Sequence, residues 1–99
     1  MNRRKKACSI SKEVWNEVYY RDYGCIICRT QNVQCHHFIP RSQGGLGIKE
    51  NLVMLCVKHH NAIHSSNYTK ELKEHCKTYL TGLYGELDIN DLKYKKRGY

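Results

Sequence analysis

Two short pairs of metal-ligand residues constrain this chain more than any other feature of its sequence. Cys25 and Cys28 form a C-x2-C pair, Cys56 and His59 form a C-x2-H pair, and residues 29–55 separate them. A tetrahedral structural zinc is usually built from two such pairs, because each turn supplies two ligands. The chain has 99 residues, of which only 40% are hydrophobic, so a metal cross-link would stabilise its small core. The sequence therefore predicts one small domain braced by structural Zn²⁺.

The charge of the chain predicts a polyanionic partner. Lys and Arg number 17 against 9 Asp and Glu, which gives a formal net charge of +8. A small basic domain attracts nucleic acid, the commonest polyanion in a cytosol. No apolar segment typical of a secretory signal follows the basic start, and no run approaches the ~20 apolar residues that span a bilayer. We therefore expect no membrane association and a reducing cytosol, where cysteine pairs bind metal more often than they form disulfides.

Local patterns predict a strand, loop, strand and helix unit with further helices on either side. Apolar residues recur at helical spacing after the N-cap residue Ser11, and residues 33–39 alternate as a strand does until Pro40. The predicted elements are a mobile basic arm over 1–10, a helix from Ser11 to Gly24, strands over 33–39 and 52–55, helices from Val57 and over about 68–80, and a helical turn over 89–94.

The second ligand pair lies in a segment with more ligands than one zinc site can use. Residues 55–64 read LCVKHHNAIH. Successive helix residues diverge by about 100°, whereas His60 and His64, four residues apart, share a face. His36 and His37 lie on the predicted strand, where successive side chains point to opposite faces. One of these two would complete a three-histidine site with open coordination positions, and the other would stand beside the metal, free to accept a proton.

These segments carry a resemblance to a known family. The chain resembles the small, zinc-braced HNH endonucleases of bacteriophages and prophages in CIIC (25–28), CHHFIPRSQGG (35–45) and NLVMLCVKHHNAIH (51–64). The motif core would cover residues 25–64 of a single nuclease domain over 11–99. The resemblance implies an α+β fold, in which a ββα-metal (His-Me finger) unit surrounds one catalytic divalent ion. A structural zinc knuckle and flanking N- and C-terminal helices would brace this unit.

The resemblance also implies a role for each matching residue. His36, His60 and His64 would bind the catalytic ion, and His37 would be the general base. Asn51 would either hold the base-bearing loop or approach the metal. His59 takes the place of a usual cysteine in the second zinc pair, and histidine is an ordinary zinc ligand. From its own chemistry, Arg41 would hold a phosphate with its planar guanidinium or be a solvated loop residue.

The implied activity is metal-dependent hydrolysis of phosphodiester bonds in DNA, by nicking or double-strand cleavage. The setting would be phage DNA processing or packaging in the bacterial host cytoplasm, with the phage large terminase subunit as a partner. Three imidazoles suit Mn²⁺, Ni²⁺ or Zn²⁺ better than Mg²⁺, which is more abundant. The sequence does not indicate an oligomeric state. The alternatives are a non-catalytic zinc-braced nucleic-acid-binding module, which has no use for the additional histidines, and a toxin-like nuclease held by an inhibitor protein.

Overall fold

Two antiparallel strands and the helix that follows them form the centre of the structure, a computed structural model that describes residues 2–95. Strand β1 covers Val33–His37 and strand β2 covers Leu52–Cys56. In their register His36 lies opposite Val53 and His37 opposite Leu52. The described helices are α1 (Arg3–Cys8), α2 (Lys12–Asp22), α3 (Val57–Ser65) and α4 (Thr69–Tyr84), with 3-10 turns over Arg41–Gln43, Lys49–Asn51 and Ile89–Leu92. The predicted small α+β fold with a ββα unit is confirmed.

Strand β2 is the most buried element, and it divides the core into two layers. All five of its residues are buried. Leu52 and Met54 pack with Val18 of α2 on one face, whereas Val53, Leu55 and Cys56 pack with apolar residues of α3 and α4 on the other. Burial on both faces explains why this strand is a continuous apolar run rather than an alternating one. None of the helices described within residues 2–95 is long and apolar enough to cross a membrane.

Helix α2 begins and ends where the local sequence predicts. The Ser11 hydroxyl accepts a hydrogen bond from the backbone N–H of Val14 at 3.1 Å, as an N-cap side chain does. Tyr23 adopts the left-handed conformation at the end of the helix, with φ 62°. Gly24 follows with φ 129°, and a Cβ there would lie about 3.0 Å from the Thr30 carbonyl oxygen. This tight exit leads the chain directly into Cys25.

A buried ion pair joins α2 to β2 and α4, and sequence analysis did not identify it. Both carboxylate oxygens of the buried Asp22 accept hydrogen bonds from Arg21, at 2.6 and 3.0 Å. Asp22 also accepts from the Met54 backbone N–H at 2.9 Å and from the Tyr79 hydroxyl at 2.6 Å. Arg21 donates further to Tyr84 and to the backbone carbonyls of Lys49 and Leu52. A buried charge is tolerated only when it is paired and hydrogen-bonded. Because Arg21 and Asp22 find these partners on β2 and α4, the network holds α2, β2 and α4 together.

The N-terminal segment differs from its prediction as a mobile basic arm. Residues Arg3–Cys8 form α1, whose N-cap Asn2 accepts a hydrogen bond from the Lys5 backbone N–H. The Arg4 guanidinium donates to two backbone carbonyls of the loop after β1, at 3.3 and 3.0 Å. The Gly47 N–H donates to the Ala7 carbonyl at 3.0 Å. Long-range hydrogen bonds of this kind leave no local pattern, so composition alone suggested an irregular arm.

Two other element ends also differ from prediction. Helix α4 continues past Leu80 to Tyr84, because Gly82 is exposed and a single glycine costs only about 1 kcal/mol in a helix. Strand β1 ends at His37 rather than at Ile39, whose backbone bonds to the Asn51 side chain instead of continuing the ladder. Met1 and residues 96–99, which the predicted arm and nuclease domain include, lie outside the described residues.

Candidate metal centres and active site

The two predicted zinc-ligand pairs come together in one cluster. The Sγ of Cys25 lies 3.7 Å from the Nδ1 of His59, and the Sγ of Cys56 lies 3.2 Å from that nitrogen. The Sγ atoms of Cys28 and Cys56 are 3.6 Å apart. Zinc bonds of about 2.3 Å to sulfur and 2.0 Å to nitrogen, at tetrahedral angles, place neighbouring ligand atoms about 3.5–3.8 Å apart. The Cys3His cluster therefore has the size and chemistry of a structural zinc site.

The thiols of this cluster differ in how readily they ionise. A hydrogen bond from Thr30 lowers the pKa of Cys28 to about 6, whereas burial raises the pKa of Cys56. The thiolate is the metal-binding form, and a nearby cation favours it. The Cys28 thiol is thus better prepared than the Cys56 thiol to bind a cation.

A second cluster consists of three imidazoles. His36, the fourth of the five residues of β1, is buried, and His60 and His64 project from successive turns of α3. Their ring centroids are 5.1, 5.3 and 5.0 Å apart, and one ligand atom from each lies within 4.8 Å of the others. Three imidazoles bound through nitrogen at about 2.1 Å and at tetrahedral angles would have centroids about 5 Å apart. The donor set fits one ion that keeps an open coordination position.

The surroundings of this cluster keep two of its imidazoles, those of His36 and His60, neutral. Burial, followed by the neighbouring His60 and His64, lowers the pKa of His36 to about 3. Burial and then His64 lower the pKa of His60. A metal binds only the neutral imidazole. His36 and His60 therefore present nitrogen lone pairs at neutral pH with little competition from protons.

His37 points away from His36, as consecutive strand residues do. Its Nε2–H donates to the backbone carbonyl of Cys8 at 2.8 Å. Because a carbonyl can only accept, the proton of neutral His37 lies on Nε2, and the lone pair that can take a proton lies on Nδ1. Burial lowers the pKa of His37, the bond to Cys8 opposes that change, and the charge of Arg41 adds to it. This imidazole has the protonation state of a general base.

Asn51 is fully buried and bonds to the backbone of the loop between the two strands. Its side-chain oxygen accepts from the Ile39 N–H at 2.8 Å. Its side-chain nitrogen donates to the carbonyls of Ile39 at 3.2 Å and Leu46 at 2.9 Å. Of the two roles the sequence left open, this geometry supports loop orientation, because backbone groups already occupy the amide's two donors and its oxygen.

Arg41 opens the 3-10 turn after Pro40 and its side chain is exposed. It lies close enough to His37 for its charge to lower that residue's pKa. On the other side of the strand, the charge of Lys73 on α4 contributes to the lowered pKa of His36. Cationic side chains therefore lie beside both the candidate base and the candidate metal site.

The sequence did not predict two groups that bond to candidate site residues, nor one charge that acts on the metal site. Gln34 bonds to His60, the Cys8 carbonyl bonds to His37, and Lys73 lies near His36. Only Gln34 carried a usable signal, because residues two apart on a strand share a face and Gln34 precedes His36 by two. The other two depend on how α1 and α4 dock against the sheet.

Comparison with known proteins identifies the segment that contains both clusters. Residues 25–66 match the family model described as HNH endonuclease. A search of curated proteins found no match to the chain. The matched segment begins at Cys25 and extends two residues past His64, so it includes every residue of the two clusters. The HNH resemblance noted from the sequence is confirmed, and HNH proteins are generally nucleases that use divalent metals and act on DNA. Residues 25–66 of the chain are therefore similar to HNH endonucleases.

Proposed function

We propose that this protein is a metal-dependent DNA endonuclease that hydrolyses phosphodiester bonds. One observation carries the proposal. A cluster of three imidazoles lies on one side of β1, and the Nε2 of the adjacent His37, on the other side, bonds to the backbone carbonyl of Cys8. An open metal site beside an oriented proton acceptor is a hydrolytic arrangement rather than a structural one.

His37 would start the reaction by accepting a proton from the attacking water at Nδ1. Its bond to Cys8 keeps the other ring proton on Nε2 and holds the ring in place. A neutral imidazole with a lowered pKa is available as a base throughout the neutral pH range. As His37 takes the proton, the imidazolium that forms would be stabilised by the Cys8 carbonyl. The exposed Arg41 could bind a non-bridging phosphate oxygen through its planar guanidinium.

His36, His60 and His64 would hold the catalytic ion. When bound, a divalent ion there supplies Lewis-acid stabilisation of the charge that builds up on the phosphate and the leaving 3′-oxygen. Three imidazoles favour Mn²⁺, Ni²⁺ or Zn²⁺ over Mg²⁺, which prefers oxygen ligands. Asn51 would act by holding the loop that joins the base-bearing strand to β2. The Cys25, Cys28, Cys56 and His59 cluster would hold a separate structural Zn²⁺.

The surface beside the histidine cluster suits a phosphate backbone. Phe38, Ile39 and Pro40 form one side of a groove whose opposite side is α4. Lys70, Lys73 and Lys77 line that side with one acidic residue, Glu74, and the lysines are spaced so that they share a helix face. Lysines in such a row contact phosphates without reading bases, so they would contribute affinity rather than sequence specificity.

The alternative is a non-catalytic zinc-braced module that only binds nucleic acid. Such a module needs the Cys3His cluster and the basic surface, but it gains nothing from three converging imidazoles beside an oriented His37. A role in phage DNA processing or packaging, in the bacterial host cytoplasm and with the large terminase subunit as a partner, rests on the sequence resemblance alone.

The test is plasmid cleavage with matched histidine variants. Supercoiled plasmid is incubated with zinc-loaded wild type, His37→Ala and His75→Ala, each with Mg²⁺, Mn²⁺, Ni²⁺ or EDTA. His75 is exposed and belongs to neither cluster, so its variant controls for the loss of an imidazole. We expect metal-dependent conversion to open-circular DNA by wild type and His75→Ala, and none by His37→Ala. Retarded but uncut plasmid with all three proteins would favour the binding module.

A further inference from the structure

Gln34 contacts a residue of the candidate catalytic metal site. It is the second residue of β1 and its side chain is exposed. Because residues two apart on a strand share a face, Gln34 lies on the same side of the sheet as His36. Its side-chain oxygen lies 2.5 Å from the Nδ1 of His60 on α3. The contact joins the strand to the helix at the three-histidine cluster.

The direction of this hydrogen bond decides whether His60 can bind a metal. A neutral imidazole carries one proton, so one ring nitrogen donates and the other has the lone pair. If Nδ1–H donates to the Gln34 oxygen, Nε2 has the lone pair. If the Gln34 amide group donated instead, Nε2 would carry the proton and could not bind an ion. The structure has the amide oxygen facing Nδ1, which is the arrangement that frees Nε2.

We propose that Gln34 is a positioning residue for the catalytic metal. Its side-chain oxygen holds His60 as the Nδ1–H tautomer and directs Nε2 toward the ion shared with His36 and His64. This inference rests on the proposed function, since it concerns the same site. Partners that orient a metal-binding histidine in this way typically change metal affinity or activity about 10- to 100-fold.

Two substitutions separate this role from ordinary packing. Gln34→Met has nearly the same shape and lacks an acceptor, whereas Gln34→Glu keeps an oxygen that can accept from Nδ1–H. A solvent-exposed strand residue contributes little to stability, so both variants should fold as wild type does. Gln43→Met makes the same chemical change at another exposed glutamine, in the turn after β1, and serves as the matched control. His60→Ala removes the ligand itself.

The first measurement is Ni²⁺ affinity, by calorimetric titration of protein whose Cys3His cluster is already loaded with zinc. We expect Gln34→Met to weaken binding about 10- to 100-fold, while Gln34→Glu and Gln43→Met bind at least as tightly as wild type. Unchanged affinity in Gln34→Met, with binding lost in His60→Ala, would overturn the positioning role and leave the nuclease proposal intact. Unchanged affinity in His60→Ala would instead remove the three-histidine site, and with it both proposals.

The second measurement reads the tautomer directly. Long-range ¹H–¹⁵N correlation spectra of the zinc-loaded protein, without a second metal, report which nitrogen of His60 carries the proton. We expect the Nδ1–H tautomer in wild type and Gln34→Glu, and exchange between both tautomers in Gln34→Met. A purely structural contact would leave the His60 tautomer the same in all three proteins. An Nε2–H signal in wild type would contradict the proposal.

Discussion

Replacing Asn51 with alanine tests which of its two possible roles is correct. Asn51 is fully buried, and its amide makes three hydrogen bonds to the backbone of the loop between β1 and β2. Asn51→Ala removes all three at once and adds no new polar group. The loop-orienting role therefore predicts a large loss of stability, whereas a role limited to the metal predicts almost none.

The expected size of the loss follows from these bonds. Each hydrogen bond contributes about 1 kcal/mol net, and each buried backbone group left without a partner costs about 1–3 kcal/mol. The bond to Leu46 is only partly buried, so water can replace that partner, whereas the two to Ile39 lie in buried surroundings. We therefore expect Asn51→Ala to lower the free energy of unfolding by about 3 kcal/mol. For a domain of this size that is a Tm decrease of about 12–24 °C.

Urea unfolding followed by the fluorescence of Trp15, which packs beside the core of α2 and β2, measures this loss. Free zinc must be buffered at one concentration, because bound metal adds to apparent stability. Asn61→Ala is the control: Asn61 is exposed on α3 and its replacement should change stability by under about 0.5 kcal/mol. A loss below about 1 kcal/mol in Asn51→Ala, together with lost cleavage, would refute the loop-orienting role and move Asn51 to the metal.

Four further outcomes are expected. His37→Ala should abolish plasmid cleavage while zinc content stays at the wild-type value and the protein remains folded, and retained cleavage would place the base elsewhere. Cys25→Ser should lose zinc and unfold or aggregate; a folded variant with unchanged zinc content, measured by atomic absorption, would contradict the Cys3His assignment. Cleavage with Mn²⁺ or Ni²⁺ should at least equal that with Mg²⁺, and strict Mg²⁺ dependence would count against three imidazole ligands. Replacing Lys70, Lys73 and Lys77 together by glutamine should reduce the slope of log affinity against log salt by up to about 3, and an unchanged slope would place the DNA elsewhere.

Much of the candidate site could be predicted from the sequence because its ligands recur at short, regular spacings. Two residues between Cys25 and Cys28 suffice for both to reach one ion, and the step of four positions from His60 to His64 makes about one turn of helix. Strand alternation likewise predicted that His36 and His37 point to opposite faces. These relations are local, so they hold wherever the element forms.

Local spacing also determined most of the elements themselves, from the Ser11 cap of α2 to the apolar run of β2. Their ends were less predictable. Strand β1 ends at His37 instead of the predicted Ile39, because the Ile39 backbone bonds to the Asn51 side chain and not to the neighbouring strand. The N-terminal segment became a helix docked on the loop after β1, where composition alone suggested an arm.

What the sequence by itself determined is thus the resemblance to HNH endonucleases over residues 25–66, the fold class and the two sets of candidate ligands. Only the tertiary structure decided which groups bond to His37 and to His60. Cys8 lies 29 positions from His37, and Gln34 lies 26 positions from His60. These two hydrogen bonds form only when α1 and α3 pack against β1. Periodicity along the chain predicts single elements, but it does not predict contacts between elements that meet only after folding.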